Sequence, residues 1–325
     1  MKAARAWAPV NVALVKYWGK QRLDENLPAT GSLSLTLTEL GTSTEVVFDP
    51  ALDGDSLVLD GRPAPDAARQ RVSAVLELVR QASGMGWFAR VESRNTVPTA
   101  SGLASSASAF AALVLAAWQA SGARRDLSRL AELARRGSGS APRSLLGGFV
   151  ELQPPGSAGD GGWLRQLAPA EHWPLRLVVA VLAAGSKRPG STEGMERSRL
   201  TSPYYQDWLA THPADMSRAR QAVARRDLQQ LGEVMESSCL KMHALTISSR
   251  PPFLYWRPAT VAVLHQVWEW RRGGLPVFFT MDAGPHVKVL CNAGDARRVA
   301  EGLSQVPGVE RVLVERPGAG ARVVS

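Results

Sequence analysis

From residue 98 to 108 the chain reads Pro-Thr-Ala-Ser-Gly-Leu-Ala-Ser-Ser-Ala-Ser, and this run of small residues feeds a strongly apolar helix that ends near Gly122. No other stretch constrains the fold as tightly. Small side chains let backbone N–H groups converge at the helix entrance, the positive end of the helix dipole favours an anion there, and the serines add hydroxyl donors. Phosphate would sit well in such a loop. The pattern is not the Walker sequence, since Gly-Lys-Ser/Thr is missing, and not the dinucleotide Gly-x-Gly-x-x-Gly. Taken alone it is also compatible with close helix packing. The longest apolar stretches, residues 107–118 and 177–184, fall well short of the roughly 20 residues that cross a bilayer.

The periodicity around this junction predicts a mixed α and β chain. Residues 32–38 alternate small polar side chains with leucine, and residues 44–48 and 57–59 continue as short strands, so the chain begins with a strand-rich sheet. Asp66 opens a helix whose apolar stripe is Ala67, Val72, Val75, Leu76 and Val79; Gly84 and Gly86 end it, and residues 87–91 are the next strand. After the apolar helix, a second one over 126–136, N-capped by Asp126, gives way to a loop over 137–143. Residues 154–162 form a flexible turn. A buried-strand run starts afresh at Leu175, which places a domain change near residue 172 and gives domains of 1–172 and 173–325. Beyond it the pattern predicts helix from about 191 to 272, with breaks at Pro203, His212-Pro213 and Pro251-Pro252. Strands over 277–281 and 287–291, a helix over 295–304 and a strand over 309–315 close the chain.

Length and charge narrow the function classes. The 325 residues, 45% hydrophobic and 21% charged, suit about two domains with a real core and exclude both a disulfide-stapled mini-fold and wholesale disorder. The first twenty residues mix Lys2, Arg5, Lys16 and Lys20 with short apolar pieces, which argues against a signal peptide. Cys239 and Cys291 lack metal-type spacing and read as buried free thiols of a reducing compartment, so a cytoplasmic protein is expected. The net charge is +9, with arginine supplying 32 of the 38 cations. These arginines are scattered in short pieces such as Arg135-Arg136 and Arg297-Arg298 and form no basic arm, so neither nucleic acid nor a membrane is expected as a partner. The five histidines show no metal-type pairing, and His243 and His265 read as helix residues of no special role.

Further segments share the anion-friendly character of the first loop. Ser138-Gly-Ser140-Ala-Pro-Arg143-Ser144 offers hydroxyl and backbone donors beside a guanidinium whose planar fork matches phosphate or carboxylate. Gly185-Ser-Lys-Arg-Pro-Gly-Ser191-Thr192 sets two cations and hydroxyls before a helix. Near the N-terminus, Asn11-Val-Ala-Leu-Val-Lys16-Tyr17-Trp18-Gly-Lys20 places two lysines and an aromatic pair against an apolar strand. Finally, Phe278-Phe-Thr-Met-Asp282-Ala-Gly-Pro-His286 carries a carboxylate at the end of a buried strand, where catalytic groups are often presented, although an Asp there also commonly caps a turn.

In this order these segments resemble the diphosphomevalonate decarboxylases of the GHMP kinase superfamily. The resemblance spans residue 6 to about 290, and Lys-Tyr-Trp-Gly-Lys with Asp-Ala-Gly-Pro separates this branch from the sugar and mevalonate kinases. It implies an α+β fold of two lobes, the N-terminal one resembling the ribosomal-S5-like fold and the C-terminal one ferredoxin-like, with the active site in the cleft. The implied activity is ATP-dependent decarboxylation of 5-diphosphomevalonate to isopentenyl diphosphate. Mg²⁺ would be carried by the ATP phosphates and not by dedicated protein ligands. A relative acting on phosphomevalonate or mevalonate, as decarboxylase or 3-kinase, is the alternative. Related enzymes are commonly homodimers.

The resemblance also assigns residues. Asp282 corresponds to the carboxylate that takes the C3 hydroxyl proton, Lys16 to the cation beside it, and Asn11 to a group positioning the reacting centre. Gly102, Leu103, Ala104, Ser105 and Ser106 would hold ATP phosphates. Arg143, with Ser138 and Ser140, would engage the substrate's carboxylate and phosphates, while Tyr17, Lys20 and Ser191 match diphosphate-side positions. Pro142, Met281 and His286, and Gln21-Arg-Leu after Lys20, depart from the usual pattern without removing a catalytic group.

Overall fold

Two long strands carry the first half of the molecule. β1 (Lys2–Val15) runs antiparallel to β4 (Ser32–Asp49), and the hairpin of β2 (Lys20–Arg22) and β3 (Leu27–Pro28) sits between them in sequence. The structure, a computed structural model, describes residues 1–96, 105–154, 163–183 and 189–324. Next in the chain come β5 (Ser56–Leu59), β6 (Arg62–Pro63), α1 (Asp66–Ser83), β7 (Phe88–Asn95), α2 (Ser105–Ser121), α3 (Leu127–Gly137), β8 (Phe149–Leu152) and β9 (Leu164–Ala168). The second half contains β10 (Leu175–Leu182), α4 (Ser191–Thr201), α5 (Tyr205–Arg225), α6 (Leu228–Ile247), α7 (Pro258–Arg272), β11 (Phe278–Met281), β12 (Val287–Asn292), α8 (Ala296–Ser304), β13 (Val309–Glu315) and β14 (Arg322–Val324).

Among the described residues the first sheet has the order β14-β1-β4-β7-β5-β6, with β8 paired to β4 and β9 to β8, and the second has the order β11-β12-β10-β13. The expected mixed architecture is present, and three apolar clusters explain how its layers hold together. One seals the first sheet against α1, α2 and α3 through Phe48, Val91, Leu76, Leu115 and Leu130. Nearly every residue of α2 from Ala107 onward is buried, as a helix apolar on all sides requires. A second cluster joins Leu14, Leu33 and Phe149 of the first sheet to Leu177, Leu290, Met216 and Leu231. The third packs the other face of the second sheet against α7 and α8.

Local signals account for several element ends. Asp126 accepts from the Arg129 amide at 3.1 Å, the expected N-cap of α3. Gly84 ends α1 at φ 73°, a conformation open to glycine without strain.

Two expectations are corrected. The strands expected over 32–38 and 44–48 are one strand, β4, whose pairing with β1 shifts register between Pro9 and Asn11, the extra residues 37–40 of β4 taking up the irregularity. Gly41 permits this passage, since a Cβ there would lie 2.6 Å from the Ala8 carbonyl oxygen. The break expected at His212-Pro213 is absent: Pro213 lies inside α5. Proline costs that helix one amide donor, but Trp208 Nε1 donates to the Trp18 carbonyl at 3.1 Å and His212 Nε2 pairs with the Gly31 carbonyl at 2.9 Å, anchoring the helix near the proline. The real break lies at Arg226, at φ 57°, after which Asp227 caps α6 by accepting from the Gln230 amide. β14 was not anticipated; it returns the chain to pair with β1. The turn expected over 154–162 lies outside the described residues from 155 onward.

Candidate active site

The cleft is assembled from chain ends and turns. Asn11 lies on β1 and Lys16 just beyond it; Tyr17 and Lys20 follow towards the small hairpin. Ser106 sits in the first turn of α2, Ser138 and Ser140 follow α3, and Arg143 lies in a 3-10 turn over Ala141–Leu145. Ser191 opens α4 and Asp282 follows β11. All ten line one cavity of about 1290 Å³. Gly102, Leu103, Ala104 and the cationic pair Lys187-Arg188 lie outside the described residues, and Ser105 is described only as the residue that opens α2.

At the centre is a carboxylate held from both sides. Lys16 Nζ donates to Asp282 Oδ1 at 2.7 Å and to the Ala13 carbonyl at 2.7 Å, while Lys288 Nζ donates to Asp282 Oδ2 at 2.8 Å. Both lysine side chains are 2% exposed and Asp282 is 24% exposed, so the carboxylate is the member most open to the cavity. Burial opposes its charge, but the two lysines outweigh burial and hold the carboxyl well below the usual carboxylate range. Burial pushes the Lys16 ammonium below its ordinary value, with Asp282 acting in the opposite direction. The Ser238 hydroxyl, on α6, accepts from the Lys16 amide at 3.0 Å and fixes where the first strand ends.

A second group orders the opposite wall. Arg143 Nε donates to Asn11 Oδ1 at 3.0 Å and Nη1 to Ser32 Oγ at 2.7 Å. Asn11 Nδ2 in turn donates to Ser144 Oγ at 2.8 Å and to the Ser140 carbonyl at 3.3 Å. Two of the guanidinium's five N–H donors are therefore committed to protein partners, which leaves Nη2 and one N–H of Nη1 for a ligand. The Tyr17 ring lies 5.8 Å from the guanidinium, and burial pushes its phenol pKa up. On the rim, Lys20 Nζ donates to Asn26 Oδ1 at 2.6 Å and to Thr192 Oγ1 at 3.0 Å, and Asn26 Nδ2 donates to the Arg136 carbonyl at 2.6 Å. The hydroxyls of Ser106 and Ser138 stand 3.4 Å apart, as do those of Ser138 and Ser140.

Sequence reasoning missed Lys288, Asn26 and Arg71, whereas Thr192 lay in the third anion-friendly segment. A lysine inside Val287-Lys-Val-Leu-Cys291 was a usable signal, since a lysine is rarely buried without a partner. His243, read as unremarkable, is fully buried behind the site with neither ring nitrogen hydrogen-bonded among the described residues, and burial lowers its pKa to about 3. His286 accepts from the Leu182 amide through Nδ1 at 3.1 Å. Among the described lining residues five are cationic and three anionic, so the cleft suits a multiply charged anion placed against an oriented carboxylate.

Residues 8–161 match the family model of the diphosphomevalonate decarboxylase-like N-terminal domain, and residues 177–315 that of the mevalonate 5-diphosphate decarboxylase C-terminal domain. The chain is 36% identical over 312 residues to the diphosphomevalonate decarboxylase of Homo sapiens, covering 89% of this chain and 77% of that protein. It is similar to the crystal structure of mevalonate diphosphate decarboxylase from Staphylococcus aureus at a TM-score of 0.94 and 36% identity, covering 100% of this chain and 98% of that one. A complex of the protein called MDDEF with MVAPP, AMPPCP and magnesium matches with a TM-score of 0.93 and 39% identity over 100% of this chain and 99% of that one.

Proposed function

Because this chain belongs to the diphosphomevalonate decarboxylase family, we propose that it converts (R)-5-diphosphomevalonate and ATP to isopentenyl diphosphate, ADP, phosphate and CO₂. The observation that carries the reading is the meeting of Lys16 and Asp282, 266 residues apart in sequence and 2.7 Å apart in space, inside a cleft lined by cations and hydroxyls. The similar complex with MVAPP, AMPPCP and magnesium supports the diphosphate as substrate ahead of phosphomevalonate or mevalonate, and supports ATP and Mg²⁺ as the other reactants.

The residues divide the chemistry between them. Asp282 accepts the hydrogen bond of the C3 hydroxyl and so aims its oxygen at the γ-phosphorus of ATP. As the new C3–O–P bond forms and ADP leaves, the hydroxyl proton becomes acidic enough to pass even to a weakly basic carboxylate. The C3–O bond then breaks with phosphate leaving, and the C–C bond to the carboxylate breaks, its electron pair becoming the alkene as CO₂ departs. Lys16 lies where it offsets charge on the transferring group. Arg143 Nη2 and Asn11 position the substrate's carboxylate end, and Tyr17, Lys20 and Ser191 face its diphosphate. Gly102, Leu103, Ala104, Ser105 and Ser106 hold the nucleotide's phosphates.

Mg²⁺ bound with ATP would neutralise negative charge on the phosphates. No group of carboxylates, imidazoles or thiols among the described residues could hold a metal. In this reading its hard-oxygen donors are the phosphates themselves, and the hydroxyls of Ser106 and Ser138, 3.4 Å apart, would be the protein oxygens offered to it.

We extend the reading to two lobes divided near residue 172, supported by β9 ending at Ala168 and the second sheet beginning at Leu175, with β14 as a return strand. We extend it also to a cytoplasmic homodimer, supported by two buried free thiols and by the prevalence of two-fold assemblies. Labelled CO₂ release from mevalonate diphosphate, phosphomevalonate and mevalonate, each with ATP and Mg²⁺, tests the activity. The diphosphate should lead, and release from another substrate alone would overturn the assignment. Sedimentation at the mass of one chain would overturn the dimer.

A further inference from the structure

Lys288 stands where a lysine is expensive. It lies on β12 among Val287, Val289, Leu290 and Cys291, all buried, and is itself 1% exposed. The register explains why it reaches the site. Phe278 faces Leu290 and Thr280 faces Lys288 across the antiparallel pair. Continuing that alternation by two residues carries Asp282 past the end of β11 on the same face, diagonal to Lys288. The 2.8 Å contact to Oδ2 closes this diagonal, and Lys16 takes Oδ1 from the first sheet at 2.7 Å.

Each oxygen thus has its own ammonium, supplied by a different sheet. One lysine alone would leave the carboxylate free to turn about Cβ–Cγ and free to bind a proton on its other oxygen. We propose that Lys288 is a positioning residue for the reaction: it fixes the plane of the Asp282 carboxylate and keeps it ionised, so that the cleft-side lone pairs always receive the substrate hydroxyl. This rests on the functional reading above. It also separates Asp282 from an ordinary general base, which works best with a pKa near the operating pH.

The charged and titratable groups that face Asp282 are Lys16 at the end of β1, Lys288 on β12, Arg143 on the 3-10 turn, and Cys239 and His243 on α6. Burial pushes the Cys239 thiol up and His243 down to about 3, so neither changes charge in the working range. Loss of Lys288 would therefore be read through Asp282.

The test compares Lys288→Met with the wild type in CO₂ release from mevalonate diphosphate across pH 5–9. We expect kcat to fall at least tenfold, both KM values to stay within about threefold, and the acid limb of kcat to move up by at least half a pH unit. Ionisations of the substrates are common to both proteins and cancel in that difference. A folded variant with unchanged kcat and acid limb overturns the inference. So does a fall in kcat with the limb unmoved, which marks a packing role. Should the methionine variant fail to fold, Lys288→Gln is read by the same criteria. Independently of any Lys288 variant, the ¹³C resonance of the Asp282 carboxylate, assigned by its loss in Asp282→Asn, should report the ionised form down to pH 5 in the wild type. A titration above pH 5 overturns the inference. Wild-type protein that releases no CO₂ would defeat the functional reading instead, and the carboxylate titration would still decide the clamp.

Discussion

Replacing Asp282 with asparagine keeps the side-chain shape but leaves two ammonium groups with one acceptor between them. The amide oxygen can take a hydrogen bond from Lys16 or from Lys288, and whichever way the amide turns, the other lysine meets its NH₂. Both lysine side chains are 2% exposed, so the lost counter-charge cannot be replaced by bulk water on their side. Breaking a buried pair by removing one partner costs roughly 3–5 kcal/mol. Because Asp282 is 24% exposed on its cavity side, the lower end, about 3 kcal/mol, is expected. At about 2 °C per kcal/mol for a chain of this size, Tm should fall by roughly 6 °C at pH 7. Burial already holds Lys16 below its ordinary value, and losing Asp282 lowers it further. The folded variant then binds fewer protons than the unfolded chain at alkaline pH, so its stability rises with pH and its deficit against wild type shrinks between pH 7 and 10. Loss of the group proposed to orient the C3 hydroxyl and accept its proton should lower kcat by roughly 10²–10⁴. Affinity for AMPPCP should stay within about threefold, because the residues proposed above to hold the nucleotide are 102–106 and not Asp282. Three measurements decide the matter: labelled CO₂ release, titration calorimetry with AMPPCP, and scanning calorimetry at pH 7, 8.5 and 10. Turnover within tenfold of wild type would remove Asp282 from the chemistry. A pH-independent, unchanged Tm would refute the buried-charge argument even if activity were lost.

Arg143→Lys should lower kcat/KM at least tenfold, about 1.4 kcal/mol, because an ammonium cannot bond Asn11 and Ser32 and also present a third nitrogen to a ligand; unchanged kcat/KM would show that this geometry is immaterial. Acid should destabilise the fold steeply: burial lowers His212 to about 4, His243 to about 3 and His286 to about 4. Each is depressed in the folded state, so the unfolded chain binds more protons and stability is lost as pH falls from about 6.5 towards 4, at up to about 1.4 kcal/mol per pH unit per histidine; a flat Tm over pH 6.5–4.5 would contradict this. Gly232→Ala should cost about 1–3 kcal/mol, since its Cβ would lie 2.0 Å from Cγ of the Phe278 ring, and urea unfolding measures it.

Much of this protein is local and therefore legible in the chain. The stripe of α1, the Asp126 cap, the apolar α2 and the strand beginning at Leu175 follow from side-chain period and capping chemistry, which act over a few residues. The motifs likewise mark which residues face the cleft, because small residues, hydroxyls and lone cations interrupt apolar patterns for a reason visible within each segment. What those motifs cannot state is their distance from one another. That Lys16 reaches Asp282, that Arg143 spends two nitrogens on Asn11 and Ser32, and that Lys288 completes the carboxylate's coordination depend on the ends of β1, β11 and β12 being brought together by packing across the two sheets. The same holds where local rules lost. Pro213 remains inside α5 because Trp208 and His212 tie the helix to Trp18 and Gly31, and Asp227 starts α6 where no proline marked a break. Propensity is a preference of a few tenths to a few kcal/mol per residue, and contacts between distant segments, which only the folded chain creates, are large enough to overrule it.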